Sequence, residues 1–380
     1  MKKSKNKNIY LLGSSSLIND IASEMITPLL PFLVASLGGA GLAIGLISGL
    51  REGLASLIKL IGGWLSDITG RRRRFIFTGY LISIIFRFTL ILATTATQTI
   101  AFVSLERFGK VRDAPRDAIL IDTSEKRGHS FSIHQAMDTS GAIIGTLLVL
   151  LLFWKLNWSF STIIATAAII SLFSLLPLIS VSKTSRKKQK ISLLHCGKSL
   201  TPELKYIILT LSVFTLANFG LYLFILVIAK NLTGSIVIPL LLYLLFNIIS
   251  ASLMIPSGKL SDKIGRKKVL LTGYILFLLI SLIFIFNTQN LIAITILFAF
   301  YAIVNALTLS NQKALVSDFA GKSKGTAMGI YYFVTGLTNI LAGLIAGILW
   351  DISPETMFAW IAIATTISII LLSFVQEKED

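Results

Sequence analysis

The sequence predicts an all-α membrane protein of twelve transmembrane helices, grouped as two pseudo-symmetric six-helix bundles. Three observations predict it. The 380 residues are 54% hydrophobic and only 14% charged, far below the roughly 25% charge of a soluble domain, and mean hydropathy is +0.81. Apolar runs of about 20 residues, enough for a helix to cross a ~30 Å hydrocarbon core, recur along the whole chain. A charged turn near residue 70 is also copied in the second half, so the spans come as a duplicated unit.

In order, the spans are read at 10–36, 40–65, 74–96, 98–122, 128–153, 157–181, 205–229, 235–257, 269–288, 290–312, 325–349 and 356–375. The first follows a lysine-rich start, as a secretory signal does. Asp20 and Glu24 interrupt its apolar run and no small-residue cleavage site stands out, so it is read as a retained span. The first bundle is placed at 1–181, a basic linker at 182–203 and the second bundle at 204–380.

Net charge is +17, but its placement argues against nucleic acid as a partner. Lys2, Lys3, Lys5 and Lys7 precede the first span, Arg71 to Arg74 separate spans two and three, and the linker carries Lys183, Arg186, Lys187, Lys188, Lys190 and Lys198. Lys263, Arg266, Lys267 and Lys268 follow span eight; the alternate loops hold only Lys155 and Lys230. That is positive-inside asymmetry. It predicts a multi-pass cell-membrane protein with both termini in the cytoplasm and the lipid bilayer as its surroundings.

Other classes find little support. One cysteine, Cys196, permits no intrachain disulfide. Asn157-Trp-Ser159 and Asn231-Leu-Thr233 are read as chance sequons. Gly197-Lys198-Ser199 and Gly321-Lys322-Ser323 resemble ends of phosphate loops, but Ser192 and Val316 stand where the earlier glycine is required. With no nucleophile or metal spacing visible, neither an enzyme nor a cofactor is expected.

The most specific pattern is internal. "GWLSDITGRRRR" (Gly63 to Arg74) returns as "GKLSDKIGRKK" (Gly258 to Lys268), and Thr78–Tyr80 and Thr272–Tyr274 close the two copies with the same "TGY". Asp122…Arg127-Gly128 and Asp318…Lys324-Gly325 form a fainter echo before the fifth span of each half. In this turn the chain resembles the major facilitator superfamily of secondary transporters. The family signature is matched at Gly63, Leu65, Asp67, Gly70, Arg71 and Arg72, and again at Gly258, Leu260, Asp262, Gly265, Arg266 and Lys267; Ile68 departs where a basic residue is common. The resemblance implies a cytoplasmic gating motif, with Asp67 capping the start of the eleventh helix near Gly325. On physical grounds Gly63 and Gly258 permit close helix approach, while Gly70 and Gly265 permit a tight turn. The arginines serve equally well as topology anchors.

Charge inside the spans is concentrated in the first half. "ERFGKVRDAPRD", Glu106 to Asp117, holds seven charged side chains. Unpaired at mid-membrane they would cost roughly 20 kcal/mol by simple addition, so they must pair, face water or face a ligand. On one helix Glu106, Lys110, Asp113 and Asp117 form a stripe beside Arg112 and Arg116, with a kink at Pro115. Asp20 and Glu24 sit four apart on span one, Arg51, Glu52 and Lys59 lie on span two, Arg87 on span three, and His134 and Asp138 four apart on span five. The second half answers with neutral groups: Asn311-Gln312 stands where the first half has Arg116-Asp117. "APRDA" (Ala114 to Ala118) with "AMD" (Ala136 to Asp138) is further similar to a prokaryotic branch of the superfamily. Gly141-Ala-Ile-Ile-Gly145 is read as a close-packing stripe.

The substrate or proton-coupling candidates are therefore Asp20, Glu24, Arg51, Glu52, Arg112, Arg116, Asp117, His134 and Asp138. They point to alternating-access transport of a small solute, driven by a proton gradient and directed as efflux, by a chain expected to act as a monomer. Two alternatives stay open: a carrier for a divalent metal or metal chelate using Asp20, Glu24, His134 and Asp138, and a membrane scaffold or sensor without turnover.

Overall fold

The computed structural model describes residues 2–123, 127–181, 200–286, 290–320 and 324–376. Among them every regular element is helical: α1 (Lys2–Ile26), α2 (Leu30–Ser36), α3 (Gly41–Thr69), α4 (Arg72–Leu90), α5 (Ala96–Glu106), α6 (Asp113–Thr123), α7 (Arg127–Trp154), α8 (Phe160–Leu172), α9 (Leu175–Ile179), α10 (Pro202–Ala217), α11 (Tyr222–Thr233), α12 (Val237–Ile264), α13 (Arg266–Phe286), α14 (Leu291–Phe319), α15 (Lys324–Ile352) and α16 (Pro354–Ser373).

Several breaks have local causes. Pro28 and Pro31 each remove a backbone donor, and a 3-10 turn at Thr27–Leu29 separates α1 from α2. Thr95, Ser159, Thr201 and Ser353 accept backbone N–H bonds at the starts of α5, α8, α10 and α16. Gly234 ends α11 in a left-handed conformation.

Among the described residues ten helical segments are long and apolar enough to cross a membrane, including Lys7–Ser36, Gly41–Thr69, Pro202–Thr233 and Leu291–Phe319. The two expected spans missing from this set, 74–96 and 98–122, are helical but carry Arg87 and the Glu106–Asp117 charges. Their polarity, rather than any lack of helix, removes them from the apolar count.

The chain packs as two compact units, Met1–Gly39 with Leu54–Leu193, and Ala40–Gly53 with Leu194–Asp380. The first half of α3 thus groups with the second unit, which a purely sequential division at the linker does not anticipate. In the first unit α1 lies along α7, its backbone close enough that a Cβ on Gly141 would meet the Leu17 carbonyl at 2.6 Å, and one on Gly145 the Ile21 carbonyl. The Gly141–Gly145 stripe is therefore a packing seam. In the second unit α13 packs on α14 and α16, and α12 on α14. Its interior is rich in stacked aromatics, including Phe214 on Tyr274 at 3.7 Å and Phe284 on Phe358 at 4.6 Å between ring centroids.

Candidate functional site

The charged stretch of the first unit is not one continuous α-helix. Arg107–Arg112 is a 3-10 helix between α5 and α6. Pro115 lacks the N–H that would bond the Val111 carbonyl, and that carbonyl instead packs against Gly62 of α3. Gly109 meanwhile approaches the backbone of Gly79 on α4. A 3-10 segment turns about 120° per residue rather than about 100°. The expected single stripe of Glu106, Lys110, Asp113 and Asp117 is therefore broken into two clusters.

In the first cluster Glu106 is held by Arg87 at 3.1 Å and Arg107 at 2.7 Å, all three buried. The other arm of Arg87 donates to Asn19 Oδ1 at 3.0 Å, tying α4 to α1. In the second cluster Asp113 collects Lys59 at 3.4 Å, Lys110 at 3.7 Å and Arg116 at 3.7 Å. Arg116 also holds Asp117 at 2.9 Å and donates to Ser16 Oγ of α1 at 3.4 Å. These charges are fixed by one another across α3, α4, α5 and α6, with the neutral Asn19 and Ser16 of α1 bonded to two of the arginines. Buried pairs of this kind are costly to break, because the remaining partner stays charged in a dry setting.

Arg112 plays a different part from that expected of a ligand-facing cation. Its side chain is fully buried, with the guanidinium 4.4 Å above the Tyr80 ring. Its Nη1 donates to Ser83 Oγ at 2.8 Å and to the carbonyls of Gly109 and Gly79 at 3.0 and 3.3 Å. It closes the α4 crossing and satisfies carbonyls of the irregular segment.

The remaining acids of the candidate set lie on α1 and α7. His134 Nδ1 lies 3.2 Å from Asp138 Oδ2, one turn apart on α7 as the sequence predicts, while His134 Nε2 and Asp138 Oδ1 are buried without a hydrogen-bond partner. Asp20 has no ion-pair partner among the described residues; its Oδ1 accepts from Asn19 Nδ2 at 3.2 Å. Its electrostatic neighbours are Asp138, Lys110, Arg112 and Glu24. Glu24 is half-buried one turn further along α1, where its Cβ faces Gly145.

Arg51 is buried and Glu52 exposed, on the part of α3 that groups with the second unit. Among the described residues no three His, Cys, Asp or Glu side chains come together to hold a metal ion. Asp20, Glu24, His134 and Asp138 are not gathered into one such group in this conformation.

In the repeated turn Gly70 and Gly265 take positive φ, +67° and +98°, as a tight turn requires. Gly63 lies against Ala114, its Cβ position 3.2 Å from that methyl, whereas Gly258 faces open space. The close approach expected of Gly258 is instead made one residue earlier, where Ser257 accepts from Asn311 at 3.0 Å. Asp67 pairs with Arg72 at 3.3 Å, and Asp262 with Arg266 at 2.5 Å. Arg266 also reaches Asp318 at 3.3 Å, tying the second copy of the turn to the end of α14. The surroundings of Asp122, Arg127 and Gly325 lie outside the described residues. Arg71 is exposed, but its neighbours are engaged: Arg72 donates to the Ala118 carbonyl at 3.4 Å, and Arg73 to the Ile179 carbonyl at 2.6 Å.

The duplicated Gly–Asp–Gly–basic turn and the charged first half thus belong to a chain that, among its described residues, has ten helical segments long and apolar enough to cross a membrane. A profile of the Major Facilitator Superfamily matches residues 12–235 and 206–380, and the chain belongs to that family. It is 44% identical to an uncharacterized MFS-type transporter of Methanocaldococcus jannaschii, over 97% of this chain and 95% of that protein. It is 23% identical to the multidrug resistance protein MdtH of Salmonella typhi, over 98% and 95%. Among solved structures its fold resembles the nucleoside transporter NupG (TM-score 0.75, 14% identity, 96% and 97% covered). It also resembles the human organic anion transporter MFSD10 (TM-score 0.72, 14% identity, 98% and 99% covered).

Proposed function

We propose that this chain carries a small solute out of the cell by alternating access of two six-helix bundles, 1–181 and 204–380 joined by 182–203, in exchange for protons. All twelve spans, including the two charged ones, cross the membrane in this reading, with both termini cytoplasmic and the monomer as the working unit. Asp67 and Asp262 act in the cytoplasmic gate.

The observation that carries the coupling is the unequal pairing of the acids of the first unit. Glu106, Asp113 and Asp117 are each neutralised by one or more cations within 4 Å. Among the described residues Asp20 accepts from the Asn19 amide and has no cation within 4 Å, and the ion-pair partner of Asp138 is the imidazole of His134. A carboxylate locked to a permanent cation resists protonation, whereas one held by neutral or titratable groups can take up and release a proton. Asp20 on α1 and the His134–Asp138 pair on α7 are therefore the coupling groups, joined by the glycine seam that packs these helices together. The full-length similarity to MdtH supports efflux as the direction.

The test is flux in proteoliposomes under an imposed pH gradient, with a panel of small organic solutes. Gradient-driven flux lost in Asp20→Asn and kept in Asp117→Asn supports the assignment. Flux that ignores the gradient, or that survives Asp20→Asn and Asp138→Asn alike, sinks it.

A further inference from the structure

Helix α3 runs unbroken from Gly41 to Thr69, yet its two parts are held in different ways. Beyond Gly53 it is interlocked with the first unit: Lys59 pairs with Asp113, Gly62 packs under Val111, and Gly63 meets Ala114. Before Leu54 it lies on α15 through a ladder of glycines. Cβ positions on Gly45 and Gly49 would strike the carbonyls of Gly343 and Asn339, and one on Gly347 would come within 2.7 Å of Leu42 Cα. Gly53 likewise faces the Gly336 carbonyl at 2.6 Å.

Such a seam has backbone on backbone and few interdigitated side chains, so it can part without rotamer changes. Directional ties hold it as well. Asp351, at the end of α15, accepts from the backbone N–H groups of Gly41 at 2.6 Å and Leu42 at 2.9 Å. Ser48 Oγ donates to the Phe219 carbonyl. The carboxylate satisfies two donors that the first turn of α3 cannot use itself, and it opposes the positive end of the helix dipole. Asp351 is exposed, so water can replace it when the contact opens.

We infer that Asp351 is a releasable latch: its carboxylate holds the start of α3 on α15 in this conformation and lets go when residues 40–53 part from the rest of the second unit. The latch stands independently of which solute moves or which ion drives it.

The experiment uses the purified full chain in detergent, with Cys196→Ser and the buried reporter Ser48→Cys, and follows labelling by a hydrophilic maleimide. Asp351→Ala should raise the labelling rate roughly tenfold, about 1.4 kcal/mol of lost closure. Asp351→Asn, which keeps one acceptor, should raise it less, and Asp351→Glu should stay close to the parent. Gly347→Ala, which wedges the seam directly, should also raise it. A rate within twofold of the parent in Asp351→Ala overturns the latch whatever Gly347→Ala does. A rise accompanied by loss of the monodisperse folded species is general loosening and overturns it too; where Ala fails to fold, Asn is judged by the same two criteria.

Discussion

Arg73 reaches from the repeated turn to the end of α9, its guanidinium 2.6 Å from the carbonyl oxygen of Ile179 and 3.3 Å from that of Leu178. In the second unit Lys267 does the corresponding work, donating to the carbonyls of Ser373 at 2.6 Å and Val375 at 2.7 Å, at the end of α16. Each half thus uses a basic residue of its turn to cap the closing helix of its own bundle. A cation there meets the unsatisfied carbonyls and the negative end of the helix dipole. Arg73→Ala and Lys267→Ala should each lower stability by about 1 kcal/mol, read as thermal unfolding of the purified protein in detergent. Arg73→Lys should recover most of the loss, and no recovery would show that packing rather than charge is at work.

Glu106 gives the largest expected effect. With Arg87 and Arg107 both on it, Glu106→Ala leaves two buried guanidinium groups without their anion. The cost should be about 3–5 kcal/mol, enough to depress folded yield. The pair Glu106→Leu with Arg87→Met should be milder than Glu106→Ala alone, because it removes one of the stranded charges. A double variant worse than either single one would show that the cluster is held by something other than its charges.

The architecture was legible in the sequence because its signals are long and redundant. Length and hydropathy marked the apolar spans, and a copied turn with glycines at Gly70 and Gly265 marked the duplication. The spacing of His134 and Asp138 also survived, since one turn of an ordinary helix preserves it. The pairing of Glu106 to Asp117 did not. Periodicity assumed about 100° per residue, while Pro115 and the Gly109–Gly79 contact force a 3-10 segment just upstream. Arg112 reads as a ligand-binding cation by composition, but its partners are two carbonyls, the Ser83 hydroxyl, the Tyr80 ring and, at 3.9 Å, Asp113; three of the five come from α4, which no local pattern encodes. The same holds for Asp351: at the end of a span it reads as a boundary charge, and its two donors lie 310 and 309 positions away.

Gly62, just before the first copy of the turn, and Gly258, which opens the second copy, should respond oppositely to a methyl group. A Cβ on Gly62 would collide with the Val111 carbonyl, whereas one on Gly258 meets nothing within 4 Å. Gly62→Ala should therefore cost about 1–3 kcal/mol through forced separation of α3 from the charged segment. Gly258→Ala should be neutral, or stabilising by up to about 1 kcal/mol through helix propensity. Thermal unfolding again distinguishes them. Should Gly258→Ala slow flux without loss of stability, Gly258 is needed in another conformation and not in this one.

Tyr80 and Tyr274 close the two "TGY" triplets, both fully buried, yet their hydroxyls differ. Tyr274 accepts from Gln312 Nε2 at 3.1 Å, and Gln312 in turn accepts from Tyr331 at 3.2 Å, so the hydroxyl belongs to a neutral chain across α13, α14 and α15. The Tyr80 hydroxyl has no hydrogen-bond partner, and what the ring supplies is a face for Arg112. Tyr274→Phe should cost about 1–3 kcal/mol, since it strands the Gln312 amide. Tyr80→Phe keeps the cation–π face and removes an unsatisfied buried polar atom, so stability should stay level or rise. Tyr80→Leu, which removes the face as well, should cost more than Tyr80→Phe by about 1–2 kcal/mol. Equal losses for Phe at positions 80 and 274 would mean that the Tyr80 hydroxyl has a partner after all. The first unit would then carry a hydrogen-bonded chain like that of the second, with its charges added to that chain rather than put in its place.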